Sequence, residues 1–533
     1  MDKSRRPTPG ERLRKAYVSL LFSLLVLGGI TFVLKACHDV HYPFAWDDDD
    51  GAVWWETVHV TDLSALYHPI RDYPYFVVPY PPVFHAVAWL ATRVTGSFLV
   101  GGRLVCIGAA LGIGLISGLL VFYASPRRIP ARNRMEGAVL AALLCCRLDS
   151  LSDYMPGVGV DPLAVFLTFL GVWLFIRFLP KERWNYAAFT VFVLAVFTKQ
   201  TMVAAPAACL LTCTLVNRRR AARLLLFSLA LGAAILGCLS WATGGEVVRH
   251  LFLYNAEQPF SITHLILGLQ ENAVKMLPLI ALAGLAFLPF LHHGLWGKRG
   301  AFVRWLRAGV QASPYRRTLL VLGLELVIAL LVSQAYGKAG GGFHYFLEWN
   351  LACCPLAGLL FVRVMDRWRP SSRYTLGGAA VSVLLLLCAL TGFPDSLYRI
   401  DSVYRFTRGV SQIQDAQYSS AAAALKIIEQ TPGPVFCENM VLTMKAHKEI
   451  PIEPGIQCYL AKAGIWDQSG FVKMIATHQF GVLIMRGSGE GFCTDEIAQA
   501  IEQNYLRREE IGDPTVPNAQ YTVFRPRSGP GER

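Results

Sequence analysis

The sequence predicts an all-α polytopic membrane protein ending in a small soluble α/β domain, and three observations predict it. The chain of 533 residues is 54% hydrophobic and only 16% charged, with a mean hydropathy of +0.40, whereas soluble domains carry about 25% charge. Its basic residues fall in short clusters between apolar runs, as in "KSRRPTPGERLRK", "SPRRIPARNR", "NRRRAARL" and "RVMDRWRPSSRY", the pattern of loops held on the cytoplasmic side. After residue 394 the composition changes to alternating helical and strand patterns. The formal charge of +13 therefore reflects topology, and nucleic acid is not an expected partner.

The first apolar run, residues 16 to 34, approaches the ~20 residues that cross a bilayer. No small-residue cleavage site follows it, so it reads as a retained helix rather than a signal peptide. With the basic N-terminus cytoplasmic, residues 36 to 99 form an outer loop. Within it "PPVFHAVAWLATRV" is too short to span and suits an interfacial or re-entrant helix. As a span it would also move "SPRRIPARNR" outside, against the charge rule.

The remaining runs lie near 100 to 123, 136 to 148, 162 to 179, 185 to 198, 201 to 216, 223 to 242, 275 to 292, 318 to 336, 346 to 364 and 375 to 393. With the first they make about eleven spans, all basic clusters falling on one side. Residues 1–393 are thus expected to form a domain integral to an inner or plasma membrane, and 394–533 an extracytoplasmic α/β domain. In that domain "GPVFCE" and "FGVLIMRG" read as buried strands and "TDEIAQAIEQNYL" as a capped helix; the final "RPRSGPGER" is expected to be disordered. A disulfide among Cys437, Cys458 and Cys493 is open. No CxxC spacing suggests a zinc site.

Five polar stretches share the outer face, and the first, "DDDDGAVWWETVHV", is the most unusual. Adjacent carboxylates repel, so Asp47 to Asp50 require a cation, a metal or helix-terminal amides, or else a raised proton affinity. A general base, a divalent cation site such as Mg or Mn, and a helix cap all fit. Further on, "VVPYPPVF" fixes an extended turn, "GGRLVCIGAALG" puts Arg103 at the outer end of a span, and "GVGVDPLAVFLTFLGV" puts Asp161 at an N-cap before Pro162. "FTKQT" offers Lys199 and Gln200, and "YGKAGGGFHYFLEWN" offers Lys338, His344 and Glu348 beside glycines that permit close backbone approach. The last stretch reads equally as a flexible loop with Glu348 capping a helix. Glu325 is an acid inside an apolar run, where such groups are costly and often functional.

In their order and shared sidedness, an acid pair after helix one, a Pro-Pro turn, Gly-Arg-Leu and Asp-Pro-Leu-Ala resemble the GT-C superfamily of integral-membrane glycosyltransferases. The branch most resembled holds protein O-mannosyltransferases and bacterial aminoarabinose transferases, over roughly residues 16 to 395. The resemblance implies a catalytic Asp at Asp49 or Asp50, with Asp47 or Asp48 as the alternative because the usual following Glu is absent, and Tyr80-Pro81-Pro82 in place of His-Pro-Pro. It implies a polyprenyl- or dolichyl-phosphate sugar donor, with a base for the acceptor hydroxyl and cations for the departing phosphate. In this expectation Asp161 assists or orients the acceptor, and Arg103, Lys199, Gln200, Lys338, His344 and Glu348 bind substrate or phosphate. The acceptor is a glycan, lipid or protein. The competing expectation is a transporter or flippase for a lipid-linked or anionic solute.

Overall fold

The computed structural model describes residues 8–46, 49–148, 157–296, 299–368, 376–391, 412–487, 494–516 and 519–527. Asp47, Asp48, Cys493 and the C-terminal end from residue 528 fall outside these segments, and with them part of the aspartate, disulfide and tail-end expectations. Every apolar run becomes a helix: Pro9–Val40, Phe98–Ala124, Ala131–Cys145, Asp161–Phe178, Glu182–Val196, Ala204–Val216, Arg218–Ala242, Ile262–Trp296, Pro314–Val332, Leu347–Arg367 and Leu376–Thr391. Among the described residues seven helical segments are long and apolar enough to cross a membrane unaided, and the others are shorter. "PPVFH" opens a 13-residue helix, Val83–Thr95, ended by Gly96 in the left-handed region at φ 73°.

Local chemistry sets the helix starts. Thr8 and Glu11 form a capping box ahead of Pro9, and Ser313 caps the helix that Pro314 opens. Between helices, a Cβ on Gly137 would lie 2.9 Å from Gly358 O, and one on Gly358 2.7 Å from Gly137 O. The two backbones therefore pack directly, as small residues allow in a membrane bundle. Asn272 and Asn350 exchange amide hydrogen bonds at 2.9 and 3.3 Å between the Ile262–Trp296 and Leu347–Arg367 helices.

The tail folds around a four-stranded mixed sheet. Strands β1 (Phe436–Cys437), β2 (Leu483–Arg486), β3 (Tyr505–Ile511) and β4 (Tyr521–Pro526) stand in the order β1-β2-β4-β3, with β1 parallel to β2 and the other pairs antiparallel. The expected strands are β1 and β2. The expected helix is Asp495–Asn504, capped by Thr494, but it ends before Tyr505, where the chain turns into the unforeseen β3. Alternate strand residues feed two cores, as the pleat requires. Phe436, Leu483 and Met485 pack with Phe471, Ile475 and Ile501, while Cys437, Val482 and Ile484 pack with Ala424 and Ile428. Ile70 and Val77 join the first core, and Tyr42 and Phe44 the second, so the segment after the first helix and the tail are one packed unit. At Gly51 the fit excludes any side chain: a Cβ would lie 2.5 Å from Met440 Cβ and 2.8 Å from Val441 N.

Glu438 follows β1 and is 9% exposed; one oxygen accepts the Arg486 amide at 2.6 Å and the other has no partner. Burial pushes its carboxyl up to about 7 against an ordinary 4.5. The unfolded chain therefore binds fewer protons than the folded one between those values, and stability present below pH 4.5 is lost as pH rises towards 7. Glu438→Gln is expected to remove part of this slope, worth about 3 kcal/mol as an upper bound. Thermal unfolding of both proteins between pH 5 and 8 checks it; parallel curves would refute the assignment.

Candidate active site

Asp49 and Asp50 occupy the first turn of the Asp49–His59 helix, where free amides and the helix dipole favour carboxylates. They do different work. Asp50 is 1% exposed; its oxygens accept the amides of Trp46 at 3.0 Å and Val158 at 2.7 Å. It thereby ties the segment after the first helix to the one leading into Asp161. Asp49 is solvent-exposed and lines two adjoining cavities. The smaller, about 40 Å³, is walled by Asp49, Asp50, Tyr80, Val158, Asp161 and His344.

Arg103 departs from its expected phosphate role. It is fully buried, and its guanidinium donates to the carbonyls of Asp39 at 3.0 Å, Tyr42, and Phe44 at 2.6 Å, with Asp50 3.8 Å away. A guanidinium forked over three carbonyls is a clamp on the chain leaving the first helix. Gln200 is likewise structural: its amide donates to Pro79 O at 2.8 Å and Leu251 O at 3.3 Å.

Lys199 keeps the expected position. The Asp161–Phe178 and Glu182–Val196 helices run consecutively and antiparallel, so the start of one and the end of the other meet at one end of the bundle. Lys199, 2% exposed, donates to Asp161 at 2.6 Å and lies 4.8 Å from the Tyr345 ring centre and 5.8 Å from that of Tyr80. Asp161 is the first helical residue after Val160, one position beyond the N-cap expected. The buried cation and its carboxylate thus stand beside the cavity that Asp49 enters.

The glycine-rich loop brings His344 to both cavities. Its glycines serve the turn: Gly340 is left-handed at φ 73°, and a Cβ on Gly341 would lie 2.1 Å from Tyr336 O. Lys338 donates to Asn255 O at 3.3 Å. Glu348 is buried in the first turn of the Leu347–Arg367 helix and lines neither cavity. Glu325 is buried in the Pro314–Val332 helix, also away from both.

The larger cavity, about 180 Å³, contains residues that sequence reasoning passed over: Glu56, Asn255, Gln258 and, from the tail, Glu453 and Tyr459. Glu56 had a readable signal, since it follows Asp49 by seven positions on one helix face; the tail residues had none. Glu56 is 1% exposed with one oxygen 3.2 Å from His85 Nε2. Burial holds its carboxyl well above the usual range, with Asp49 and Glu453 adding to the rise, and burial pushes His85 down to about 3. Glu453 caps the Ile456–Lys462 helix, accepting the amides of Gly455 at 2.7 Å, Ile456 at 2.7 Å and Gln457 at 3.1 Å. Among the described residues no three His, Cys, Asp or Glu side chains gather to hold a metal ion. Asp50 is committed to amides, so the described aspartates do not fit the divalent-cation site.

No family model matches the chain, and no curated protein matches it. Solved structures do. ArnT from Cupriavidus metallidurans bound to undecaprenyl phosphate is 13% identical with a TM-score of 0.56, over 95% of this chain and 98% of that one. Its apo state matches at 13% identity and TM-score 0.56 over 94% and 97%. The oligosaccharyltransferase of Archaeoglobus fulgidus, tethered to an acceptor peptide, matches at 12% identity and TM-score 0.50 over 96% and 76%. The chain therefore has the fold of the GT-C integral-membrane glycosyltransferases that its motifs resemble.

Proposed function

We propose that the protein is an inverting glycosyltransferase that moves a sugar from a polyprenyl- or dolichyl-phosphate carrier to an acceptor outside the cytoplasm. One observation carries the reading: a buried ammonium, Lys199, held by Asp161 at 2.6 Å beside a cavity that an exposed carboxylate, Asp49, also lines. The nearest chemistry for that pair is displacement at a sugar carbon. Asp49 takes the proton of the acceptor hydroxyl, whose oxygen forms a bond to the anomeric carbon. The carbon–oxygen bond to phosphate breaks on the opposite face, and the charge left on the phosphate is met by Lys199. Asp161 holds the ammonium in place, and His344 borders the same space. Support from outside the chain is the undecaprenyl phosphate bound in the ArnT structure.

The ionisable groups that line the two cavities, with Lys199 beside them, gather at one end of the bundle, whereas transporters place theirs near the bilayer midplane on broken helices. That distribution favours an enzyme over the transporter reading. The test is mass spectrometry of the purified full chain for co-purified lipid. A polyprenyl-phosphate species is expected with the wild type, and about tenfold less or lower with Lys199→Met, since a charge-assisted contact to phosphate is worth 1.5–3 kcal/mol. Equal lipid on both proteins would remove Lys199 from the phosphate site.

A further inference from the structure

The larger cavity is more than an annex of the smaller one, because the tail joins four other stretches of the chain in lining it. One wall is the helix face carrying Asp49 and Glu56; the facing wall is the tail, through Glu453 and Tyr459. At 1.5 Å rise per residue, Glu56 lies about 10 Å along the helix from Asp49, so the cavity runs from the proposed base to a point one or two sugar rings away.

Its chemistry restricts what can enter. The lining contains the carboxyl groups of Asp49, Glu56 and Glu453, and no lysine or arginine. A phosphate or carboxylate there would find no lysine or arginine to balance its charge. A metal ion is not the answer either, because among the described residues these carboxyls do not converge as a ligand set. Glu56 is an independent pointer to a ligand: at 1% exposure, one carboxyl oxygen has no hydrogen-bond partner in the protein, with His85 Nε2 3.2 Å from it. A buried acceptor left unmatched by the protein is costly and is relieved by a ligand donor. Asn255 and Gln258 add amide groups, and Tyr345 and Tyr459 add ring faces. Carboxyl and amide oxygens for hydroxyl donors, with aromatic faces for C–H surfaces, match a sugar ring.

We infer that the cavity between the Asp49–His59 helix and the tail is the acceptor subsite and that it takes a neutral, hydroxyl-rich saccharide. The inference rests on the transferase reading, because it is Asp49 that makes this space the acceptor side. Within it, Tyr459 stacks on the saccharide, Glu56 takes a hydroxyl hydrogen bond, and Glu453 fixes the turn that presents Tyr459. The tail is thereby part of the substrate site.

The experiment is saturation-transfer NMR on the full chain in lipid nanodiscs, with lactose, cellobiose and trehalose as neutral probes and glucose 6-phosphate and a neutral tripeptide as comparators. Transfer to at least one disaccharide is expected, with none to the phosphate or peptide. Binding is expected to be about tenfold weaker in Tyr459→Ala, the loss of one stacking contact, and to be retained in Tyr459→Phe. The conservative Glu56→Gln, which keeps the side-chain volume, is expected to weaken binding by a similar factor. Absence of transfer to every disaccharide, transfer to phosphate or peptide that Tyr459→Ala abolishes, or equal affinity in all variants would overturn the inference. The two readings fail separately. Saccharide binding without donor turnover counts against the transferase and leaves the subsite standing; turnover onto a phosphorylated or peptide acceptor sinks the subsite and leaves transfer standing.

Discussion

Asp49→Asn is expected to reduce sugar transfer by about 10²- to 10⁴-fold, the range a positioned general base contributes, while the protein folds normally. The expectation follows from the division of labour at the start of the Asp49–His59 helix. Asp49 is exposed to both cavities, and asparagine keeps its shape and its place in the first turn but cannot accept a proton. Asp50→Asn provides the contrast. There, an amide nitrogen replaces one of two oxygens that accept backbone amides, so one donor is left unmatched at a cost of about 1–3 kcal/mol. That variant should lose thermal stability and part of its activity, with an unchanged pH profile. The measurement is release of polyprenyl phosphate from a panel of lipid-phosphate sugars by each purified protein, alongside thermal unfolding. Asp49→Asn turning over at the wild-type rate would eliminate the base.

Arg103→Met is expected to destabilise the fold by about 3–5 kcal/mol, the cost of removing one member of a buried charged network. Three carbonyls, of Asp39, Tyr42 and Phe44, lose their donor, and Asp50 stays buried without the guanidinium 3.8 Å away. Methionine fills the volume but donates nothing. Arg103→Lys should restore only a minor share, because one ammonium lacks the planar fork that reaches carbonyls from three positions at once. Purified variants compared by thermal unfolding and by size-exclusion profile in detergent test this. A phosphate ligand would behave differently: the variant would fold with wild-type stability and lose only lipid binding, and that result would restore Arg103 to the site.

Sequence and structure divide unevenly over the residues of the site. Asp161 and Lys199 were legible, since each is a charged group at the end of an apolar run, where placing it costs enough to demand a reason. Their meeting at 2.6 Å needed only that consecutive helices run antiparallel. Arg103 was equally conspicuous and its role was misassigned, because sequence identifies a charge near an interface without saying whether its partner is a ligand or a backbone carbonyl. Gln200 was misread for the same reason. Glu56 could have been picked out by its helical spacing from Asp49, but only the burial against His85 and the tail distinguishes it from any acid on an outer loop. In the tail, β3 and β4 were missed because strand pairing is a long-range contact, and "NYLRREEI" carries exposed charges on an edge strand that hide its alternation.

By itself the sequence determined the apolar helices of the bundle and, to within a few residues, where they begin. Those properties follow from apolar run length, capping residues and the distribution of basic loops, which act over a few turns of chain or through the bilayer itself. Only the tertiary structure decided that Asp49 stands exposed at both cavities while Asp50, bonded to two amides, and Arg103 hold the loop, and that the tail adds Glu453 and Tyr459 to the lining. Which side of a helix faces a cavity, and which distant segment completes it, is settled by packing between elements hundreds of residues apart, as at Gly51 against Met440, and no local pattern encodes that contact.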